Sequence, residues 1–166
     1  WQLFGCTIYF RFFTFYLCHN TGKPYFCSPK ERPTYLRLTG KYTMLPIQDA
    51  FPLLSGPKNI FITTHHKPDG DAIGSMLGLY HYLVAKGHNV TAVSPSEVPD
   101  FLRWIPGNDK LINFEAVPDS AIAAIKGCDL IFCLDFNDFN RTKNMEQLLQ
   151  ESVQPKILID HHLFPK

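Results

Sequence analysis

The segment NIFITTHHKPDGDAIGSMLGLYHYLVAKG, Asn59 to Gly87, changes its hydrophobic rhythm once, and that change decides the fold. From Asn59 to His65 the chain is apolar and β-branched and then turns polar, which is the pattern of a buried strand. Pro68, Gly70 and Gly74 supply a loop. From Asp71 to Lys86 the apolar positions Ile73, Met76, Leu77, Tyr80, Leu83 and Val84 recur at helical spacing, and Gly87 closes the helix.

The same alternation continues outward from this unit. NVTAVSP, Asn89 to Pro95, reads as a second strand, and PDFLRWIPG, Pro99 to Gly107, as a short helix or turn. DSAIAAIKG, Asp119 to Gly127, has an Asp/Ser cap and a glycine stop, so it predicts a short helix. DLIFCLD, Asp129 to Asp135, is a third strand; NRTKNMEQLLQES, Asn140 to Ser152, is a helix; KILID, Lys156 to Asp160, is a fourth strand. Continuous apolar strands alternating with helices imply an α/β fold, a Rossmann-like open parallel sheet with helices on both faces. Internal repeats and low-complexity tracts are absent from the sequence.

The chain of 166 residues has a formal charge of +1, which hides an asymmetry. Residues 1–43 carry six Lys/Arg and one acid, a net +5, whereas the rest carries ten bases and fourteen acids, a net −4. The first segment is crowded with aromatics, holds Cys6, Cys18 and Cys27, and contains no methionine before Met44. Its apolar run from Leu3 to Cys18 falls short of the roughly 20 residues a spanning helix needs, and Arg11 interrupts it. The expectation is therefore that residues 1–43 are a non-domain extension, translated upstream sequence, and that residues 44–166 form the domain, with no membrane association. Cys128 and Cys133 sit in the apolar context GCDLIFCLD and read as reduced core thiols, consistent with a cytoplasmic protein.

Three of the predicted strands end in groups that are costly to hold in place. His65 ends the first, Asp135 the third, and Asp160 with His161 the fourth. In open parallel sheets the binding crevice lies outside those carboxyl ends, so clusters about 95 residues apart can converge. Asp69 and Asp71 flank Gly70, where one turn can aim both carboxylates at a point. Acids held that close repel unless a cation sits between them. A mixed imidazole–carboxylate set suits Mn, Fe, Zn or Mg. Five such groups exceed the needs of one tetrahedral ion and favour a two-metal site, with one carboxylate bridging and a hydroxide held against phosphorus. The amino end of the helix near Asp71, with Gly74 and Ser75, offers free N–H groups for a phosphate. Singly, each feature has a plainer explanation: PDGD is a common turn, and Asp138 and Asn140 are loop and cap residues. His81 and His88 are expected to be solvated. The placement of ligand-type residues at three strand ends is what those explanations do not predict.

These residues resemble a known family. HHKPDGDAIGS is similar to the first motif of the DHH phosphoesterase superfamily, LDFND resembles the second, a strand ending in Asp, and LIDHH resembles the Asp-His-His third. The order and spacing agree from about Met44 onward, and the Gly-Ser ending of the first motif looks most like the nanoRNase branch of oligoribonucleases and phosphoadenosine-phosphate phosphatases. The resemblance implies that His65, Asp69, Asp71, Asp135 and His161 bind metal, usually two Mn²⁺ ions with Mg²⁺ as an alternative, and that Asp135 bridges them. It implies that Asp160 orients the ligand histidine through its second nitrogen and that His162 lies near the substrate phosphate. Arg141, six residues beyond Asp135, is either a phosphate contact or a surface helix residue.

The implied activity is metal-dependent hydrolysis of short single-stranded RNA or of 3′-phosphoadenosine 5′-phosphate, with a homodimer allowed. Sister branches hydrolyse cyclic dinucleotides or pyrophosphate. The family pattern continues with a further aspartate and a C-terminal substrate-binding domain, whereas this chain has no acid after Asp160. The expectation is thus a C-terminally incomplete catalytic domain of weak activity. The rival from another class is a nucleotide-binding regulatory module without hydrolysis. A dinucleotide site would show Gly-x-Gly-x-x-Gly after the first strand, where this chain has HHKPDGDAIGS.

Overall fold

A computed structural model describes residues 14–18, 26–27 and 47–162, the first two stretches as backbone strands. The composition break at residue 44 lies outside the described residues. Among the described residues the strands are β1 (Thr14–Cys18), β2 (Phe26–Cys27), β3 (Asn59–Thr63), β4 (Asn89–Ser94), β5 (Ile112–Asn113), β6 (Leu130–Leu134) and β7 (Lys156–Asp160). The helices are α1 (Gly70–Ala85), α2 (Pro118–Gly127) and α3 (Glu146–Glu151).

The strands form one sheet in the order β2-β1-β7-β6-β3-β4-β5. The five from β7 to β5 are mutually parallel, and β1 adds antiparallel to β7, with Thr14 opposite Asp160. This is the α/β sheet expected. The chain runs outward from β3 through β4 to β5, then returns to place β6 on the other side of β3. The reversal makes the gap between β3 and β6 the switch point, where adjacent connections leave toward opposite faces and open a crevice.

The pleat sorts the apolar residues into two cores. Phe61, Val93, Ile131, Cys133 and Leu158 face α2 and α3, meeting Ala121, Ile125 and Leu149. Ile60, Ile62, Ala92, Leu130, Phe132 and Ile157 face α1, meeting Ile73, Met76, Leu77 and Leu83. Cys128 and Cys133 are buried free thiols, as expected, and burial pushes them up to about 11 and about 12.

Some elements differ from the sequence expectation. The helix predicted over 140–152 is a 3-10 segment, Phe139–Met145, kinked within itself at Lys143 (φ 54°), followed by α3. Thr142 Oγ1 donates to the Phe139 carbonyl at 2.7 Å, a side-chain bond that competes with the regular helix. The strands stop one or two residues before the polar groups that were expected to end them, so His65 and Asp135 lie on the loops just beyond. His88, expected to be solvated, is buried: Gly87 at φ +86° turns the chain back, and the His88 N–H reaches the Leu83 carbonyl at 3.1 Å.

Candidate metal centre

The crevice at the switch point is built by loops pinned to one another. Thr64 Oγ1 donates to the Leu134 carbonyl at 2.9 Å and ties β3 to β6. The His66 N–H donates to the Arg141 carbonyl at 2.8 Å, and the Lys67 N–H to Ser96 Oγ at 2.8 Å. Asp135 has φ 63°, in the left-handed region that aspartate tolerates better than most residues. Its N–H is fixed to the Ile159 carbonyl at 2.9 Å. A residue held in that conformation by both neighbouring strands aims its carboxylate in a set direction.

His65 is buried, and its Nδ1 lies 3.0 Å from the His66 carbonyl. A carbonyl only accepts, so Nδ1 carries the proton in the neutral ring and Nε2 keeps its lone pair. Nε2 faces Asp135 Oδ2 at 3.6 Å. The Asp135 carboxylate raises the His65 pKa above its ordinary 6.5, against the opposing effect of burial.

Asp69 caps α1. Its Oδ1 accepts from the N–H groups of Asp71 and Ala72, each at 3.1 Å. The Ala72 N–H is the main reason its carboxyl stays below the ordinary 3.8. Asp71, likewise exposed, brings Oδ2 to 3.3 Å from His161 Nε2, which also lies 3.1 Å from Asp135 Oδ1. Asp160 is buried at 1 % exposure, and its Oδ1 takes Nδ1 of His162 at 2.6 Å. Asp160 thus holds His162 rather than His161, the histidine for which that role was expected.

Two sets of ligand atoms each fall within 4.8 Å of one another: His65, Asp69 and Asp135, and Asp135, His161 and His162. Asp135 belongs to both. Asp71 joins through its contact with His161, and His162, expected beside substrate, stands among the ligand-type groups. Buried polar atoms are normally satisfied. Here Asp135 Oδ1 and Asp160 Oδ2 are buried without a donor in hydrogen-bonding geometry. Among the described residues, every ion pair formed by Asp71, Asp135 and Asp160 is with a histidine. Crowded carboxylates, unpartnered oxygens and imidazole nitrogens fit a divalent cation.

The phosphate candidates divide. Ser75 is half-buried and donates Oγ to the Ala72 carbonyl at 3.1 Å, inside α1. Arg141 is exposed, and its charge lies near enough to act on His65. Sequence reasoning missed the supports Thr64, Ser96 and Glu115, the last 3.3 Å from His66 Nε2. Their signal was position: Thr64 and Ser96 follow β3 and β4 at the same level as the site.

An open α/β sheet carrying an Asp/His set at its switch point defines the chain as a domain with a candidate metal centre. The pattern of the DHH family, N-terminal domain, matches residues 59–166, and the chain belongs to that family. It is 42% identical over 64 residues to the bifunctional oligoribonuclease and PAP phosphatase NrnA of Thermus thermophilus, a stretch covering 39% of this chain and 18% of that protein. The crystal structure of an exopolyphosphatase-related protein from Bacteroides fragilis superimposes with a TM-score of 0.70 at 39% identity, over 72% of this chain and 35% of the other. The chain thus corresponds to a minor part of the length of each relative.

Proposed function

We propose that this chain carries the metal-binding part of a phosphoesterase that uses Mn²⁺ and hydrolyses short oligoribonucleotides, 3′-phosphoadenosine 5′-phosphate, or both. The observation that carries the reading is Asp135, a buried carboxylate common to two sets of ligand atoms. The oligoribonuclease and PAP phosphatase activity of the Thermus thermophilus relative supports the substrate class.

His65, Asp69, Asp71, Asp135 and His161 would hold the ions, with His162 at the edge of the second set. When bound, a pair of divalent cations supplies Lewis acidity toward phosphoryl oxygens and water. The residues of the chain do the rest. Asp135 keeps both sets in register. Asp160 accepts from Nδ1 of His162, so that Nε2 would take up a proton from solvent or attacking water before passing it to a departing oxygen. The amino end of α1 and Arg141 are placed to orient phosphate oxygens. No described helix is long and apolar enough to cross a membrane. The buried thiols fit a reducing cytoplasm.

The test pairs calorimetric titration of Mn²⁺ with hydrolysis of a short oligoribonucleotide and of bis(p-nitrophenyl) phosphate, using the chain and its Asp135→Asn variant. The expected outcome is Mn²⁺ binding and metal-dependent release of product, both lost in the variant. Equal Mn²⁺ binding by both proteins would overturn the assignment.

A further inference from the structure

The segment between β4 and β5 carries two large aromatics in solvent beside the site. Phe101 is 71% exposed and Trp104 78%. Exposed large aromatics call for a reason. Backbone bonds from Leu102 to Pro99, Arg103 to Asp100, and Ile105 to Leu102, at 2.9–3.1 Å, keep the segment in 3-10 spacing. Residues three apart on such a turn share a side. Phe101 and Trp104 therefore share the outer side, while Leu102 and Ile105 pack into the core around α1.

Two contacts join this segment to the metal centre. A Cβ placed on Gly70 would lie 3.8 Å from Cδ2 of Leu102, so the turn rests on the residue between Asp69 and Asp71. Ser96, at the base of the segment, holds the Lys67 N–H. The charge beside the aromatics is of the wrong sign for a phosphate. Arg103 is occupied by Glu97 at 2.6 Å and Asp100 at 3.1 Å, and these two carboxylates stay largely exposed. Carboxylates accept from the exocyclic amino groups of a base, and aromatic faces stack on its ring.

We propose that Phe101 and Trp104 form a stacking platform for a nucleobase of the substrate, with Glu97 and Asp100 facing the base edge. The inference rests on the phosphoesterase reading above and deepens it. It makes the enzyme selective for nucleotides over phosphate esters without a base.

The test uses the full chain in the presence of Mn²⁺. Tryptophan emission is titrated with adenosine 5′-monophosphate and with ribose 5-phosphate, and Trp104→Phe assigns the signal against Trp1. Adenosine monophosphate should quench Trp104 and bind more tightly than the sugar phosphate. Phe101→Ala and Trp104→Ala should each weaken it by about 5- to 150-fold, the range for one stacked base, and leave ribose phosphate unaffected. Both side chains are exposed, so the melting temperature should hold. Equal affinity for the two ligands, or unchanged affinity in both variants, overturns the platform while calorimetric Mn²⁺ binding leaves the phosphoesterase reading intact. Loss of Mn²⁺ binding in the parent chain overturns that reading instead. A concentration-dependent dimer that dissociates in Trp104→Ala would assign the patch to a second copy of the chain and overturn the platform.

Discussion

The two ends of the parallel sheet use the same residue types to opposite effect. At the amino ends, the Asn59 N–H donates to Asp129 Oδ2 at 2.8 Å, the Asn89 side chain donates to that of Asn59 at 2.9 Å, and the Asp129 N–H reaches the Asn59 carbonyl at 2.8 Å. These polar groups close on one another and on the backbone, and they stitch β3, β4 and β6 together. At the carboxyl ends, Asp135 and Asp160 each keep a buried oxygen without a donor in hydrogen-bonding geometry. An aspartate satisfied by neighbouring donors is a fastener. One held by the backbone with its carboxylate left over is poised for something the chain does not contain.

Altering the carboxyl end should have the largest effect. Asp135→Asn removes the charge shared by both ligand sets and should weaken Mn²⁺ by more than the roughly 10- to 100-fold that loss of a supporting group costs. Isothermal titration reads this directly, and an affinity within tenfold of the parent would break the contrast between the two ends. Asp160→Asn should act through His162 alone and lower turnover by about 10- to 100-fold. Mn²⁺ should still bind to that variant.

The His65–Asp135 pair makes the same end sensitive to pH. Because its folded pKa is raised, His65 holds a proton more tightly in the metal-free protein than in the unfolded chain. That stabilisation is complete below 6.5 and is lost as pH rises through the raised value. Mn²⁺ competes with this proton. The metal-free melting temperature should therefore fall as pH rises from 6.5 through the raised His65 value, while the increment given by Mn²⁺ grows over the same interval. A metal increment independent of pH would show that His65 is not displaced from its proton.

The amino end should give the smallest effect. Asp129→Ala removes the acceptor of the Asn59 N–H and should cost about 1 kcal/mol in urea denaturation, with Mn²⁺ affinity unchanged. A larger change in Mn²⁺ affinity than in stability would mean that the two ends are coupled through the sheet.

Much of this was legible in the sequence where a physical pattern ran uninterrupted. The apolar runs of β3, β6 and β7 and the helical spacing of α1 leave few alternatives, and the polar residues that end those runs sit where the sheet topology opens its crevice. What escaped the sequence depends on single backbone turns. Strand β5 has two residues, too few for any period to show. Lys143 at φ 54° divides a segment whose composition reads as one helix. Whether Asp160 reaches His161 or His162 is decided by how the chain leaves β7, which Asp-His-His written in a row does not reveal. Phe101 and Trp104 lie in a stretch that reads only as a short helix or turn, and the 3-10 spacing puts both outside.

Asp69 was described as the cap of α1, with Oδ1 on two backbone N–H groups of the first turn. The same carboxylate belongs to the set around His65 and Asp135. One carboxylate therefore transmits the state of the centre into the helix. An ion that draws on Asp69 changes the acceptor strength felt by the amides of Asp71 and Ala72. Their hydrogen-exchange rates become a built-in reporter of metal occupancy, read from the backbone without any substrate.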